Sequence, residues 1–245
     1  MSLPNYSSFE LLETTIKHRG EECWLMDYHV ERLLSSATTM SIIYSDDKAF
    51  RNVPTPEEVK SKVQEATKQA EESSQSEYFR VRILLSYDGK IQVGVTPETP
   101  RVNTMPLKIV LDNEPVSSDN VFLRHKTTHR PMYNKPREKY NVSLTDVERP
   151  FDVVLYNEDG NITETTIANF AIQIPDENGN LVWTTPPLKC GLLGGTMRRY
   201  LLESGTIKEG VITKEDLLQA KKDNRKMCCF NSVRKMYEVE LVDSV

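Results

Sequence analysis

The sequence predicts an α/β protein with two lobes. Its 245 residues suffice for one large domain or for two lobes that share an interface. Strand-like apolar patterns alternate with helical apolar spacing in both halves of the chain. A stretch with three prolines and no periodicity lies between them, from Pro97 to Pro106. We therefore predict a smaller N-terminal lobe at 1–98, a linker at 99–106 and a larger lobe at 107–245.

Composition and charge exclude several functional classes. Hydrophobic residues make up 38% and charged residues 27%, which is typical of a soluble globular protein. The net charge of -5 gives no electrostatic reason to expect nucleic acid, which requires a concentrated basic face. No apolar run approaches the roughly 20 residues that cross a bilayer, and the first ten residues lack a signal-peptide pattern. We expect a cytoplasmic protein with neither a nucleic-acid nor a membrane partner.

The cysteines predict no metal site and no disulfide framework. Their spacing contains no CxxC pattern, and two adjacent cysteines cannot readily cross-link to each other. We expect reduced thiols in packing positions. The four are Cys23, Cys190, Cys228 and Cys229.

The first lobe begins with a strand followed by a helix. The segment 9–17 is apolar and β-branched, and we expect 23–26 to be its hairpin partner. Asp27 is expected to cap the helix that follows, with His29, Arg32 and Ser36 on the face beside its apolar face. The apolar face contains Val30, Leu33, Leu34, Ala37 and Met40.

A second helix and a hairpin complete the first lobe. Thr55 is a predicted N-cap, Pro56 the first helical residue, and Glu58 the partner that completes a capping box. The segment 78–86 alternates as a half-buried strand, and Asp88-Gly89 predicts a hairpin turn into a second strand.

The second lobe contains more strands than helices. Its predicted strands are 107–111, 151–156, 166–174, 181–183 and 226–230. The segment 131–145 is weakly helical, and short helices are predicted after Gly194-Gly195 and after the N-cap Thr213.

Three features could together serve an imine cofactor such as pyridoxal phosphate. This chemistry requires an amine, a carboxylate for the pyridine nitrogen, and donors for a phosphate dianion. Lys126, in a basic and polar stretch, could supply the amine, and Glu164 the carboxylate. The loop 191–198 ends at a predicted helix start, where backbone N–H groups bind anions. An anion-binding patch, a solvated turn residue and a tight connection explain the same features, so the residues alone leave the choice open.

Four ordered motifs carry a more specific signal. They are His29-x-x-Arg32-Leu33-x-x-Ser36-Ala37, His125-Lys126-Thr127-Thr128-x-Arg130-x-x-Tyr133, Thr163-Glu164-Thr165-x-x-Ala168-Asn169-Phe170 and Gly191-Leu-Leu-x-Gly195-Thr196-Met-Arg198. This series, which spans most of the chain, resembles the class IV aminotransferase family, the fold type IV pyridoxal phosphate enzymes.

The resemblance implies roles for the matching residues. Lys126 would be the Schiff-base lysine, and Glu164 would pair with the pyridine nitrogen of pyridoxal phosphate. The implied phosphate site comprises Arg32, Gly195, Thr196 and Met197. The implied substrate-binding residues are Arg82, Arg130, Tyr133, Asn231, Ser232 and Arg234. The resemblance also implies a homodimer that acts on a small molecule.

Within the family, two segments look most like aminodeoxychorismate lyases. These are Phe9-x-Leu-Leu-Glu13-Thr14-Thr15 and the His-Lys-Thr-Thr-His-Arg run at 125–130. The implied reaction releases 4-aminobenzoate and pyruvate, a step toward folate. The alternatives are a branched-chain or D-amino-acid aminotransferase, which would use the same lysine, and a catalytically idle cofactor-binding protein.

Overall fold

The chain divides into two compact units in a computed structural model that describes residues 3–45, 47–99 and 105–243. Unit 1 comprises Met1–Arg101 and His125–His129, and unit 2 comprises Val102–Arg124 and Arg130–Val245. The segment that carries Lys126 therefore belongs with the N-terminal strands, whereas the sequence division placed it in the C-terminal lobe. Of the predicted linker, 100–104 lies outside the described residues.

Unit 1 is built on a three-stranded antiparallel sheet. Its strands are β1 (Leu11–His18), β2 (Tyr78–Leu85) and β3 (Ile91–Glu98), in the order β1-β2-β3. The predicted alternation along β2 is confirmed, because Val81, Ile83 and Leu85 are buried. The predicted turn at 88–89 is confirmed as the hairpin that joins β2 to β3.

Two helices contact this sheet. Helix α1 (Met26–Ile43) contacts β1, and α2 (Pro56–Ser73) contacts β3. The predicted capping box of α2 is confirmed, with Thr55 and Glu58 each bonded to the backbone N–H of the other. The predicted apolar face of α1 is buried apart from the partly exposed Leu34, and two polar side chains predicted beside that face, His29 and Ser36, are buried as well.

Two local predictions in unit 1 were wrong. Cys23 forms only an isolated bridge with Lys17, so 23–26 is no hairpin strand, and the partner of β1 is β2. Asp27 does not cap α1, because Asp27 lies inside the helix, which begins at Met26. The N-cap is Leu25, which has a left-handed backbone conformation (φ 54°). Asp27 instead pairs with Lys60 of α2 at 2.6 Å.

Unit 2 is built on one mixed sheet of eight strands in the order β6-β5-β4-β11-β10-β7-β8-β9. The strands are β4 (Leu107–Leu111), β5 (Asp152–Tyr156), β6 (Ile162–Thr165), β7 (Asn169–Pro175), β8 (Leu181–Thr185), β9 (Lys208–Glu209), β10 (Met227–Asn231) and β11 (Lys235–Leu241). The pairs β4–β5, β4–β11 and β8–β9 are parallel and the others antiparallel.

The helices of unit 2 are α3 (Val121–Arg124), α4 (Pro131–Lys139), α5 (Thr196–Glu203) and α6 (Lys214–Lys222). Helix α5 contacts β10, and α6 contacts β7. The predicted N-cap of α6 is confirmed, because Thr213 and Asp216 form a capping box. One predicted strand, 166–174, was wrong at its start: Thr165 N–H bonds to Ala168 O across a turn, and β7 begins at Asn169.

The alternation of helices with mixed and antiparallel strands confirms the predicted α/β class. The four cysteines carry free thiols and are buried. Within the described ranges, every helix is too short or too polar to cross a lipid bilayer.

Candidate active site

A buried carboxylate, Glu13, organises the predicted phosphate-binding arginine in unit 1. Glu13 faces the helices from β1 and is 1% exposed. Its Oε1 accepts a hydrogen bond from Arg32 Nε at 2.7 Å, and its Oε2 accepts one from Arg32 Nη2 at 2.6 Å. His29 Nδ1 lies 2.6 Å from the same Oε2. This fork fixes the plane of the Arg32 guanidinium.

The charges in this cluster follow from burial and contact. Burial by itself would raise the pKa of Glu13, but the Arg32 charge, its hydrogen bonds and His29 outweigh burial and hold this pKa at about 2. Burial lowers the pKa of His29 and outweighs the opposing effect of Glu13. At neutral pH His29 is therefore uncharged, and its Nδ1–H donates to a carboxylate that can only accept. The Glu13–His29 contact is a hydrogen bond, whereas Glu13–Arg32 is an ion pair.

Glu13→Gln is expected to lower the free energy of unfolding by about 3 kcal/mol, because it leaves the guanidinium without its buried anion. The folded pKa lies below the ordinary 4.5, so the stabilisation is full above pH 4.5 and is lost as pH falls to about 2. Urea unfolding between pH 7 and pH 2 measures the difference from wild type. Glu10→Gln, at a partly exposed neighbouring position, is the matched control. A difference that stays constant down to pH 2 would contradict this account.

Lys126 is held in unit 1 by backbone pairing with β1. Leu12 N–H donates to Lys126 O, and Thr128 N–H donates to Glu10 O, both at 2.9 Å. Lys126 itself is partly exposed. After burial, its positive charge is among the effects that lower the pKa of His29. The structure therefore brings Lys126 near the Glu13 cluster that holds Arg32.

Arg82 lies on the other face of the same sheet. It is exposed on β2, opposite Thr14 of β1 and Gly94 of β3. Glu13 pairs with Ile83 in this register, so its side chain and that of Arg82 point to opposite faces. Within unit 1, Arg82 is not brought together with Arg32.

Glu164 is the buried carboxylate of unit 2. It lies on β6 and is 4% exposed. Its Oε1 accepts hydrogen bonds from the Tyr133 hydroxyl at 2.8 Å and from Leu193 N–H at 3.2 Å. Its Oε2 accepts one from Asn169 Nδ2 at 3.1 Å. These donors fix both oxygens and partly replace the water that burial removes.

Tyr133 and Arg130 lie beside this carboxylate. Burial, and then the Glu164 charge, raises the pKa of Tyr133 well above its usual range, so its hydroxyl stays protonated and donates. The Arg130 guanidinium lies 4.5 Å from the centroid of the Tyr133 ring, and its Nη2 donates to Thr166 O at 2.5 Å. Burial lowers the pKa of Arg130. Among the described residues, no carboxylate forms an ion pair with Arg130.

The glycine loop leads into α5 as the sequence predicts. Gly195 is the N-cap of α5 and makes no side-chain cap, and Met197 in the first turn is buried. The Thr196 hydroxyl hydrogen-bonds the Ser232 hydroxyl, and both residues are buried. The structure thus joins one predicted phosphate-binding residue to one predicted substrate-binding residue, and the helix start supplies N–H donors for an anion.

Asn231 and Arg234 shape the turn that follows β10. Asn231 Oδ1 accepts hydrogen bonds from Val233 N–H at 3.0 Å and Arg234 N–H at 2.9 Å, while its Nδ2 donates to Ile167 O at 3.2 Å. The Arg234 guanidinium lies 4.7 Å from the centroid of the Phe151 ring. Asn231 therefore builds the turn, and its direct contact with a substrate stays a prediction.

The sequence reasoning gave no role to Glu13, His29 or Asn169. The available signal for Glu13 was a charged residue at a position of the strand that faces the core. Its partners, His29 and Arg32, lie three residues apart, so they share one face of a helix. Asn169 stood in a motif without a role. The described residues contain no group of three or more His, Cys, Asp or Glu side chains that could hold a metal ion.

Comparison with known proteins identifies the family. Residues 11–242 match the family described as amino-transferase class IV. The chain belongs to this family. A Schizosaccharomyces pombe protein, provisionally named an aminodeoxychorismate lyase, is 32% identical over 236 residues, which cover 95% of this chain and 89% of that protein.

Solved structures with a similar fold include two that are described as aminotransferases. A Mesorhizobium loti structure described as an amino-acid aminotransferase superimposes with a TM-score of 0.75 and 28% identity, covering 96% of this chain and 100% of that one. A Mycobacterium tuberculosis structure, described as a hypothetical aminotransferase in its PLP-bound form, has a TM-score of 0.73 and 19% identity. It covers 95% of this chain and 81% of that one. This second likeness shows the fold alone.

Proposed function

We propose that this protein is a pyridoxal phosphate-dependent aminodeoxychorismate lyase that forms 4-aminobenzoate and pyruvate. The observation that carries the proposal is the 32% identity to the Schizosaccharomyces pombe protein over 95% of the chain. The family match supports the enzyme class. The alternative function is that of an aminotransferase, because the Mesorhizobium loti structure, which is described as an amino-acid aminotransferase, is 28% identical to this chain.

The residues present fit pyridoxal phosphate. Glu164 is a buried carboxylate whose two oxygens are fixed by hydrogen bonds from Tyr133, Leu193 and Asn169, and a fixed carboxylate suits the proposed partner of the pyridine nitrogen. The start of α5 at Gly195 and Thr196 supplies N–H and hydroxyl donors suited to a phosphate. Arg32 is a guanidinium held rigidly by Glu13, and Lys126 is the proposed covalent anchor.

The net reaction needs no oxidant and no second substrate. A proton leaves C4 of aminodeoxychorismate, the C3–O bond breaks, and the proton count is restored on the departing pyruvate. Bound pyridoxal phosphate supplies an aldehyde for the substrate amine and a ring that accepts the electron pair of the broken C–H bond. Lys126 removes the C4 proton and returns it to the departing group, and Glu164 holds a proton on the pyridine nitrogen.

Arg130 is the best supported candidate for a substrate carboxylate. It is a partly exposed cation whose guanidinium lies over the Tyr133 ring, and it forms no ion pair among the described residues. A guanidinium in a partly desolvated position attracts an incoming carboxylate more strongly than a fully solvated one does, because less water screens the pair. Arg82 and Arg234 remain proposals from the family resemblance.

Arg130→Gln is expected to raise KM for aminodeoxychorismate about tenfold or more, because one charged hydrogen bond to substrate is lost. The change in kcat should be smaller, since Arg130 holds no reacting atom. Initial rates over a substrate series measure both constants. Arg149→Gln, which removes an exposed arginine paired with Asp146, is the matched control. An unchanged KM would remove Arg130 from the substrate site.

A single assay separates the proposed lyase from its alternatives. Purified protein is incubated with aminodeoxychorismate without any 2-oxo acid, and pyruvate and 4-aminobenzoate are measured. A lyase releases both continuously. An aminotransferase requires an acceptor and instead converts a branched-chain or D-amino acid when 2-oxoglutarate is added. An idle binding protein shows neither reaction, and that outcome would reject the proposal.

We also propose that the protein works as a cytoplasmic homodimer, as the family resemblance implies. Light scattering coupled to gel filtration should then give twice the 28.1 kDa mass of the chain. A mass of one chain would contradict the dimer without affecting the proposed reaction.

A further inference from the structure

We infer that Asn169 is a positioning residue that sets the spacing between Glu164 and the glycine loop 191–195. The inference rests on the proposed function, in which Glu164 and this loop hold opposite ends of one rigid cofactor. The motif that contains Asn169 gave it no role, and it is 4% exposed. Its side chain touches both elements.

The Asn169 amide group bridges the two elements with its two N–H bonds. Nδ2 donates to Glu164 Oε2 at 3.1 Å and to Leu193 O at 2.9 Å. Leu193 N–H returns a bond to Glu164 Oε1 at 3.2 Å. Both neighbours of Nδ2 are acceptors, so they require the NH₂ end of the amide. The orientation of the amide is therefore determined, because Oδ1 cannot donate to an acceptor.

The carbonyl end of the same amide limits how closely the loop approaches. A Cβ at Gly195 would lie 1.9 Å from Asn169 Oδ1, so any larger residue would clash there. The start of α5 therefore rests on Asn169. One side chain thus bonds to the carboxylate and the loop on one side and contacts the helix start on the other.

The backbone of Asn169 is held in place by the sheet of unit 2. Asn169 is the first residue of β7, and it pairs with Phe230 of β10 in the middle of the eight-stranded sheet. The preceding turn is closed by the bond from Thr165 N–H to Ala168 O at 2.9 Å. A short side chain on a paired strand has few alternative positions, so it can act as a spacer.

This spacing has a measurable consequence for ligand binding. A ligand that carries both a pyridine ring and a phosphate gains affinity over its separate parts only when both subsites lie at the right distance. The loss of Asn169 should therefore weaken the joined ligand more than it weakens either fragment. A residue that merely supports the fold would not produce this difference.

The test measures three dissociation constants by calorimetry on protein freed of cofactor. The probes are pyridoxine 5'-phosphate, pyridoxine and inorganic phosphate, none of which has an aldehyde to react with Lys126. The coupling ratio is the product of the two fragment constants divided by the constant of the joined ligand. Asn169→Ala is expected to lower this ratio about tenfold or more, the effect of losing a hydrogen bond to a charged group.

The control is another buried asparagine of unit 2. Asn157 is 3% exposed and its Nδ2 bonds to Cys190 O at 3.2 Å, close in sequence to the same loop. Asn157→Ala should leave the coupling ratio unchanged even if it lowers the melting temperature. Should Asn169→Ala fail to unfold cooperatively, Asn169→Thr, which suits a strand and keeps one donor, is measured in the same way.

Each outcome decides between the claims. If wild-type protein binds pyridoxine 5'-phosphate and the Asn169 variant has an unchanged or higher coupling ratio, the inference is overturned. The proposed function then still stands. A wild-type protein that does not bind pyridoxine 5'-phosphate would overturn the proposed cofactor and the inference together.

Discussion

Lys126→Ala is expected to lower kcat for pyruvate release by about 10⁴-fold or more, since the proposed mechanism assigns both the covalent anchor and the proton transfer to this side chain. The backbone of Lys126 is fixed to β1 by the hydrogen bond from Leu12 N–H to Lys126 O. The variant should also lose the near-visible absorbance that an imine of pyridoxal phosphate gives. Rate measurements and absorbance spectra test both effects.

The control for Lys126 is Lys135→Ala, which removes an exposed lysine that pairs with Glu114 at 3.0 Å. This variant should retain the wild-type rate and absorbance. A Lys126→Ala protein with a rate within tenfold of wild type would remove Lys126 from the reaction.

Glu164→Gln is expected to lower kcat by about 10²- to 10³-fold, because a neutral amide cannot hold a proton on a pyridine nitrogen. The substitution keeps the size of the side chain, so the free energy of unfolding should change far less than the rate. The environment amplifies the charge effect, since Glu164 is buried and little water screens it. Steady-state rates, with urea unfolding in parallel, separate the two effects.

Glu177→Gln, in an exposed turn of the same unit, is the matched control for the loss of a negative charge. It should leave kcat unchanged. Equal losses of rate and stability in Glu164→Gln would point to a structural role for Glu164 and contradict the proposed one.

The sequence correctly predicted the features that depend on residues close together in the chain. The capping boxes at Thr55 and Thr213 and the Asp88-Gly89 turn depend on neighbours within four residues, and all three are present. The partner of β1 could not be read in this way. Tyr78 pairs with His18 across 60 residues, and the nearby apolar segment at 23–26 was a misleading alternative.

The candidate site shows the same division. The family motifs pointed to Arg32, Lys126, Glu164 and Thr196, and their assignment to one cofactor is a prediction. The residues that orient them were not predicted, because their role depends on contacts made by the folded chain. Glu13 meets Arg32 only when β1 contacts α1, and Asn169 meets Leu193 only when the glycine loop reaches the start of β7.

The most direct test of the central claim counts turnovers without an acceptor. Purified protein loaded with pyridoxal phosphate is given excess aminodeoxychorismate and no 2-oxo acid, and pyruvate is followed with time. The lyase account predicts many pyruvate molecules per subunit at a steady rate, matched one to one by 4-aminobenzoate. Release that stops at about one equivalent per subunit, or no release at all, would contradict it.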